Sequence, residues 1–349
     1  MIILVDPRAK LTYAWFYIHG LREQLGRRRV RVSKRGFAPL TPEDAYSYDR
    51  YVALIVDSEV KRTRLVVDYG DATGFEETAY EWCDVYAKVN VAPGDLGHQE
   101  KLMILGPGFG IGPNGRDRLE WAPPMLGQLA HWRDRRRGPT NYPPSVRRLA
   151  AEHLAWLRSG TIDQYQAHSG SSDYVFYAAR LWEHHSCVDD TNPERAKFMR
   201  AAKAAVGQGF DGGFVSEGRS AQAEIYADLL LDRKVPSDKW ISRTQLSAVA
   251  FNNPAVWGCL GWKLAQYMAL GKAIISTPIE NLLPEPLRHG SNVHFVSEIG
   301  EIPAALSLIT TDCEYRRRLE IGSRKYWDLH LSPVATARRI LDRALGNLV

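Results

Sequence analysis

The sequence predicts an α/β protein of two tandem domains, and three observations lead there. MIILV, RYVALIV and EKLMIL are short apolar runs of the kind that form strands buried on both faces; the first is stopped by Asp6-Pro7 and the last breaks into a glycine loop. Segments with apolar residues at helical spacing alternate with such runs, and strands joined through helices imply a mostly parallel sheet. At 349 residues the chain is long enough for two separate cores.

In order, MIILV reads as the first strand and YAWFYIHGLREQL as the first helix. RVRVS alternates at period two, and RYVALIV, RLVVDYGD, DVYAKVNV and EKLMILGPGFGIG follow as further strands. From Arg133 to Ser172 the character changes: RDRRRGPTNYPP is basic and broken by proline, and SVRRLAAEHLAWLRSG is helical. A second domain opens with DYVFYAARLW, a strand ending at Arg180. Next comes the helix NPERAKFMRAAKAAV, with Asn192 as its N-cap and Pro193 at its first position. DGGFVSE and QLSAVAFNNP are expected as strands, GWKLAQYMAL as a helix closed by Gly271, then AIIST and NVHFVS as strands and EIPAALSLIT as a helix. SPVATARRILDRALGNL ends the chain as a helix capped by Ser332, with Pro333 at its start. The expected division is 1–160, 161–332 and a final helical segment 333–349.

Composition narrows the function classes. The chain is 45% hydrophobic and 24% charged with a net charge of +5, gathered in runs such as GRRRVRVSKR, HWRDRRRG and YRRRLE. That balance suits an anionic substrate or a membrane surface, while solvated helix faces account for any single run; it does not by itself make a nucleic-acid binder. Four cysteines with no C-x-x-C pair fit a reducing compartment and argue against a zinc site or a disulfide framework. MIILVDPRAK lacks the pattern of a signal peptide, and no run approaches the about 18 apolar residues of a membrane span, so a cytoplasmic protein is expected. His184-His185 and Asp189-Asp190 complete no ligand set, no Asp-x-Asp pair occurs, and neither a metal nor a cofactor is expected.

GCLGWKLAQYMALGKAIISTP places Gly258 and Gly261 immediately before a helix, with Lys263 in its first turn. In open α/β sheets, ligands bind where strand ends lead into helix N-termini. Free N–H groups and the helix dipole favour an anion there, and glycine admits it close to the backbone. An ordinary helix–strand unit after a flexible turn reads the same residues equally well.

The wording of this region and of LLPEPLRHGSNVHFV resembles the donor half of GT-B glycosyltransferases. Leu264, Ala265, Met268, Ala269, Gly271, Ile275 and Thr277 fall on that family's helix–strand pattern, and Leu283, Pro284, Glu285, Gly290, Asn292 and Val296 on the pattern that follows. The match is close over about forty residues and looser elsewhere. The resemblance implies two Rossmann-like domains facing a central cleft, with an acceptor domain first, a nucleotide-sugar donor domain second, and a final helix crossing back to the first. It implies donor contacts at Arg180, in the place of an arginine that helps to hold the diphosphate, and at Gly258, Gly261, Trp262, Lys263, Gln266 and Glu285, with Arg243 near the base pocket. A guanidinium suits a diphosphate because it offers two N–H groups and stays charged; a surface ion pair with Glu183 is the competing reading for Arg180. The sequence departs from the family where many retaining members carry two glutamates, since Gly258 and Gln266 stand there. GWKLAQY is similar to the GWxxxEY of exostosin-like enzymes, which leaves retention or inversion open.

An acceptor hydroxyl must lose a proton, and Asp6, Asp68 and Asp71 are the candidate bases, although aspartate also caps helices and forms turns. His19 falls in the first helix. GPGFGIGPNG fails as a dinucleotide fingerprint because Ile111 or Pro113 stands where the third glycine belongs; no helix pattern follows it, and it is expected as a loop near the acceptor. The expected activity is metal-independent transfer of a sugar from a nucleotide-diphosphate sugar to a hydroxyl of a glycan, glycolipid or other acceptor. A nucleotide-sugar epimerase or hydrolase of the same fold, or a non-catalytic carbohydrate- or DNA-binding relative, stays open. The basic stretch 133–148 keeps peripheral contact with the inner face of a membrane, or a nucleic-acid acceptor, in view.

Overall fold

The computed structural model describes residues 1–40, 47–96, 99–121 and 146–346; most of the basic stretch 133–148, including RDRRRGPTNYPP, lies outside them. The chain divides into two units, Met1–Ile162 with His330–Val349, and Asp163–Leu329.

The first unit is built on a six-stranded sheet in the order β2-β1-β3-β4-β5-β6. Its strands are β1 (Ile2–Val5), β2 (Val30–Val32), β3 (Tyr51–Asp57), β4 (Arg62–Asp68), β5 (Val85–Lys88) and β6 (Leu102–Ile104). The pairs β1–β2, β4–β5 and β5–β6 are parallel, whereas β3 runs antiparallel to both β1 and β4. This corrects the picture of helical crossovers throughout. Only residues 58–61 separate β3 from β4, too few for a crossover, which takes a dozen or more residues. Ser58 closes the turn, its N–H donating to the Lys61 carbonyl at 3.0 Å and its Oγ accepting from the Lys61 N–H at 2.9 Å. Phe37, Leu40, Tyr51, Ile55, Trp82 and Tyr86 form one buried cluster in this unit.

Helix α1 (Leu11–Leu25) is the first helix and α2 (Val146–Arg158) a later one of the same unit. The glycine run 105–114 carries no regular structure and is mostly buried. A Cβ on Gly108 would lie 2.8 Å from the Phe16 ring, and one on Gly112 would lie 2.2 Å from the Ser159 carbonyl oxygen. These glycines therefore admit close packing. Residues 115–121 are helical, which corrects the expectation that no helix follows; Asn114 Oδ1 accepts from the Asp117 N–H at 3.3 Å, as an N-cap does.

In the second unit β7 (Val175–Arg180) pairs in parallel with β8 (Phe210–Val215), and β9 (Ala250–Asn252), β10 (Ile274–Ser276) and β11 (His294–Phe295) form a second parallel sheet in the order β11-β10-β9. Hydrogen bonds from Phe176 N–H to Ser247 Oγ (2.9 Å) and from Ala248 N–H to the Tyr174 carbonyl (2.8 Å) join the starts of the two sheets. Helix α3 (Thr191–Val206) begins two residues earlier than expected, with Asp190 rather than Asn192 at the N-cap position. Asn192 is drawn away from capping: its amide donates to the Trp182 carbonyl and to Gln222 Oε1 and accepts from the Trp182 N–H, pinning the chain after β7. In QLSAVAFNNP, Gln245 and Leu246 finish helix α4 (Ser237–Leu246) and the strand shortens to β9. Helices α5 (Trp262–Ala269), α6 (Ile302–Thr311) and α7 (Cys313–Tyr326) complete the unit's main elements. Gly271 follows α5 at φ 61°, the left-handed region glycine enters freely. The core here is aromatic: Phe198 stacks on Phe251 at 4.8 Å, and Tyr177 meets both edge-on.

Helix α8 (Pro333–Leu345) returns to the first unit, capped by Ser332 Oγ accepting from the Ala335 N–H at 3.2 Å. It packs on α1 so closely that a Cβ on Gly20 would lie 1.9 Å from the Pro333 carbonyl oxygen. Thr63 Oγ1 also donates to the Ala344 carbonyl at 2.9 Å. No helix among the described residues is long and apolar enough to cross a membrane.

Candidate functional site

The carboxyl ends of β7, β9 and β10 are tied together by one buried polar network. Arg195, on the second turn of α3, donates through Nε to Asn253 Oδ1 (3.0 Å) and through a terminal nitrogen to the Arg180 carbonyl (3.0 Å), linking the ends of β7 and β9. The Asn253 amide donates to Glu194 Oε2 (2.9 Å) and to the Thr191 carbonyl (3.1 Å). Thr277, just past β10, donates from its hydroxyl to the same Glu194 oxygen at 3.2 Å. Burial pushes the Glu194 carboxyl above the usual carboxylate range, against the bonds from Asn253 and Thr277. Sequence reasoning passed over Glu194, Arg195 and Asn253. Their signal is an apolar strand closing on two asparagines, AFNN, and an acid–base pair beside the helix start; neither announces a partner some sixty residues away.

Some of the residues expected at a donor site lie at this edge and others do not. Arg180 is the last residue of β7, and its guanidinium is about half exposed. It pairs with Glu217 at 2.9 Å, not with Glu183, and lies 4.6 Å from the Trp182 ring centroid. Glu183 instead accepts from Ser220 Oγ. The bonds that hold the loop after β9 include Trp257 N–H to Ser186 Oγ (3.1 Å), Asn281 Nδ2 to the Gly258 carbonyl (2.8 Å), and Thr191 Oγ1 to the Pro254 carbonyl (3.2 Å). Gly258 has φ 72°, which calls for glycine, whereas Trp257 before it holds φ 54° despite its side chain, a strain on the order of 1–2 kcal/mol. Gly261 differs from both. It caps α5 at φ −75°, a conformation open to any residue, and a Cβ there would meet nothing within 4 Å. Neither backbone geometry nor packing requires glycine at 261, and its lack of a side chain leaves the N–H groups of α5 approachable. Trp262 beside it is 38% exposed.

Lys263 does not stand at the helix start as a free cation. Its side chain turns inward, donates to the Ala178 carbonyl and lies 4.5 Å from the Tyr177 ring centroid, strapping α5 to β7. Burial, with the nearby Arg195 charge adding to it, pulls the ammonium well below the ordinary lysine range. Gln266, one turn on, donates to Tyr165 Oη at 3.1 Å. Arg243 belongs to the opposite end of β7 and β8: it pairs with Asp211, the second residue of β8, and sits 5.8 Å from the ring of Phe176, the second residue of β7. Glu285 is exposed in the loop after β10, and its carbonyl accepts from the Tyr326 hydroxyl. The second unit thus gathers Arg180, Gly258, Gly261 and Trp262 on its carboxyl edge, turns Lys263 and Gln266 inward, and places Arg243 elsewhere. His184 and His185 pack at 4.3 Å beside Trp257, and the described residues hold no cluster able to bind a metal ion.

In the first unit Asp6, just past β1, and Asp68, at the end of β4, are committed. Asp6 is buried and accepts from Arg8 at both oxygens (2.9 and 2.6 Å), and Arg8 continues to the carbonyls of Phe37 and Leu40. Asp68 is equally buried: Oδ2 accepts from Lys88 and from Tyr86, each at 2.7 Å, and Oδ1 from the Gly70 N–H at 2.8 Å. Asp71 is exposed in the loop after β4, and its charge raises the Tyr13 phenol alongside burial, the larger cause. His19 is half-buried on α1, its ring 6.5 Å from that of Trp15.

No family model matches the sequence, and no curated protein matches it either. Among solved structures the chain is similar to the C-terminal domain of LpcC, a glycosyl transferase group 1 family protein from Francisella tularensis. The identity is 13% over 47% of this chain and 86% of that one, with a TM-score of 0.34. A glycosyltransferase from Rickettsia africae matches at 11% identity over 76% of this chain and 64% of its own, TM-score 0.40. Anabaena HepE, solved with UDP and glucose, matches at 10% identity over 78% of this chain and 65% of its own, TM-score 0.42. The chain thus spans just under two thirds of the length of the latter two, and likeness at this level carries no argument about activity. The architecture is α/β, with Rossmann-like parallel strands and their helices in the second unit and a mixed sheet in the first.

Proposed function

We propose that the chain is a glycosyltransferase that binds a nucleotide-diphosphate sugar at the carboxyl edge of the second unit and transfers the sugar to an acceptor hydroxyl. The observation that carries the reading is Gly261: a glycine needed by neither backbone nor packing, at the N-terminus of α5 beside Arg180's strand edge. The α5 N–H groups and the Arg180 guanidinium would hold the diphosphate and stabilise its charge as the glycosidic bond breaks. Gly258 keeps the loop low, and Trp262 and Glu285 flank the ligand. Lys263, Gln266 and the Arg195–Asn253–Glu194 network position these elements without touching it. The motif resemblance over residues 261–296 supports the same reading. Of the three candidate bases, Asp71 is proposed to take the acceptor proton, because Asp6 and Asp68 have both oxygens engaged inside the fold. The acceptor is proposed to be a glycan or glycolipid.

The test is thermal-shift titration with UDP-, GDP-, ADP-, CMP- and dTDP-sugars on the wild type and on Gly261→Asp. Aspartate is a good N-cap, so the variant should be as stable as the wild type or about 0.5–1 kcal/mol more so, while its carboxylate occupies the anion position. One nucleotide should stabilise the wild type and lose most of its effect on Gly261→Asp. Equal stabilisation of both proteins would overturn the diphosphate placement; a nucleotide bound with no transfer to any acceptor would favour a binding module.

A further inference from the structure

Trp257 is the one non-glycine residue with positive φ among the described residues. A bulky aromatic in that conformation is unfavourable, and the strain is not repaid by burial, since the side chain is 56% exposed. The position would accept glycine or asparagine without strain. Yet the loop is fixed rather than loose. The Trp257 N–H is held by Ser186 Oγ at 3.1 Å, the Gly258 N–H by the Ala255 carbonyl at 2.9 Å, and the Gly258 carbonyl by Asn281 at 2.8 Å. The His184 ring braces the indole edge-on at 5.1 Å, with an 84° angle between the planes. A strained backbone, an exposed indole and a rigid mount together describe a ring presented in advance to a ligand.

We infer that Trp257 is a stacking platform for the pyranose ring of the donor, an inference that rests on the glycosyltransferase reading above. The ring belongs to the residue just before Gly258 and lies within the loop that leads to Gly261, where the diphosphate is placed. Of the two groups that flank the diphosphate of a nucleotide sugar, the inference assigns the indole to the sugar rather than to the nucleoside. One face of a pyranose is a patch of C–H bonds with its hydroxyls around the rim. An indole face matches that patch while leaving the hydroxyls free for hydrogen bonds. Stacking of this kind holds the sugar without a charged side chain, which suits a site whose glycine turn supplies no carboxylate.

Isothermal titration of the wild type and of Trp257→Gly with a nucleoside diphosphate and with the matching nucleotide sugar tests it. Glycine suits φ 54°, so the variant should melt at the wild-type temperature or higher. Its affinity for the nucleoside diphosphate should stay within about twofold, and its affinity for the nucleotide sugar should fall about tenfold. Trp257→Phe should retain part of that sugar affinity. An equal loss for both ligands would make the indole a nucleobase platform and overturn the inference, as would no loss for either. If the wild type binds no nucleotide, the donor reading falls, and titration with methyl pyranosides decides the platform separately. A response present in the wild type and missing in Trp257→Gly upholds it; no response sinks it.

Discussion

Charged residues close strands in both units, and they are treated in opposite ways. In the first unit Asp68 ends β4 beside Lys88 at the end of β5; both are buried, and the pair is completed by Tyr86 and the Gly70 N–H. In the second unit Arg180 ends β7 with its guanidinium about half exposed, against a Glu217 that is more exposed still. A buried pair must be fully satisfied to be tolerated, so it has nothing left to offer a ligand. An exposed pair is weak and readily exchanged for another anion. The same topological position therefore serves structure in one unit and is left available for chemistry in the other.

Lys88→Met should have the largest effect, because it leaves the Asp68 carboxylate buried without its counter-charge: about 3–5 kcal/mol lost in urea unfolding followed by tryptophan emission. A loss under about 1 kcal/mol would mean that Asp68 reaches water, and would return it to the list of bases. Next come the glycines. Gly112→Ala should cost about 1–3 kcal/mol, since its Cβ would meet the Ser159 carbonyl. Gly261→Ser, which keeps a good N-cap, should fall within about 0.5 kcal/mol of wild type in the same assay. Comparable losses would erase the distinction between a packing glycine and a ligand glycine. Arg180→Ala should change stability by no more than about 1 kcal/mol while abolishing most of the nucleotide-dependent thermal shift. A large stability loss would make Arg180 structural, like Asp68.

A further difference depends on pH and concerns Lys272, buried just before β10, whose Nζ donates to the carbonyls of His168 (3.2 Å) and Gln245 (2.9 Å). Burial lowers this ammonium from its ordinary value of 10.5 to about 8, with the Glu320 charge opposing. Between those values the unfolded chain binds more protons than the folded one, so this group's contribution to stability rises with pH. Wild type should therefore gain on Lys272→Met from about pH 8 towards pH 10 when both are unfolded in urea. A flat difference over that range would show that the ammonium keeps its normal proton affinity.

What the sequence made legible follows the range of the forces involved. Strands β1, β5, β7 and β10 announce themselves as apolar runs, and Gly271 and Ser332-Pro333 mark helix ends by chemistry that acts within one turn. The reversal of β3 is legible too, in the four residues 58–61, although the alternation of strands and helices along the chain points to crossovers. The site was harder to read. Gly258, Gly261 and Arg180 are visible by local pattern and by resemblance. That Lys263 faces inward depends on where the Tyr177 ring and the Ala178 carbonyl lie, which α5 alone does not encode. Asp68 and Asp71 look alike in VVDYGDAT; they part only because parallel pairing sets Lys88 beside the first. Trp257 carried no pattern at all, since its conformation belongs to the loop.

The seat of α8 on α1 has a consequence for how the chain is made. The first unit is discontinuous, with residues 163–329 inserted between its body and its last helix. During synthesis the notch at Gly20 stays empty until Pro333 has been made, while the second unit, being one continuous stretch, has all its partners earlier. The inserted unit is thus free to fold first, and the last helix acts as the clasp that finishes the one begun before it.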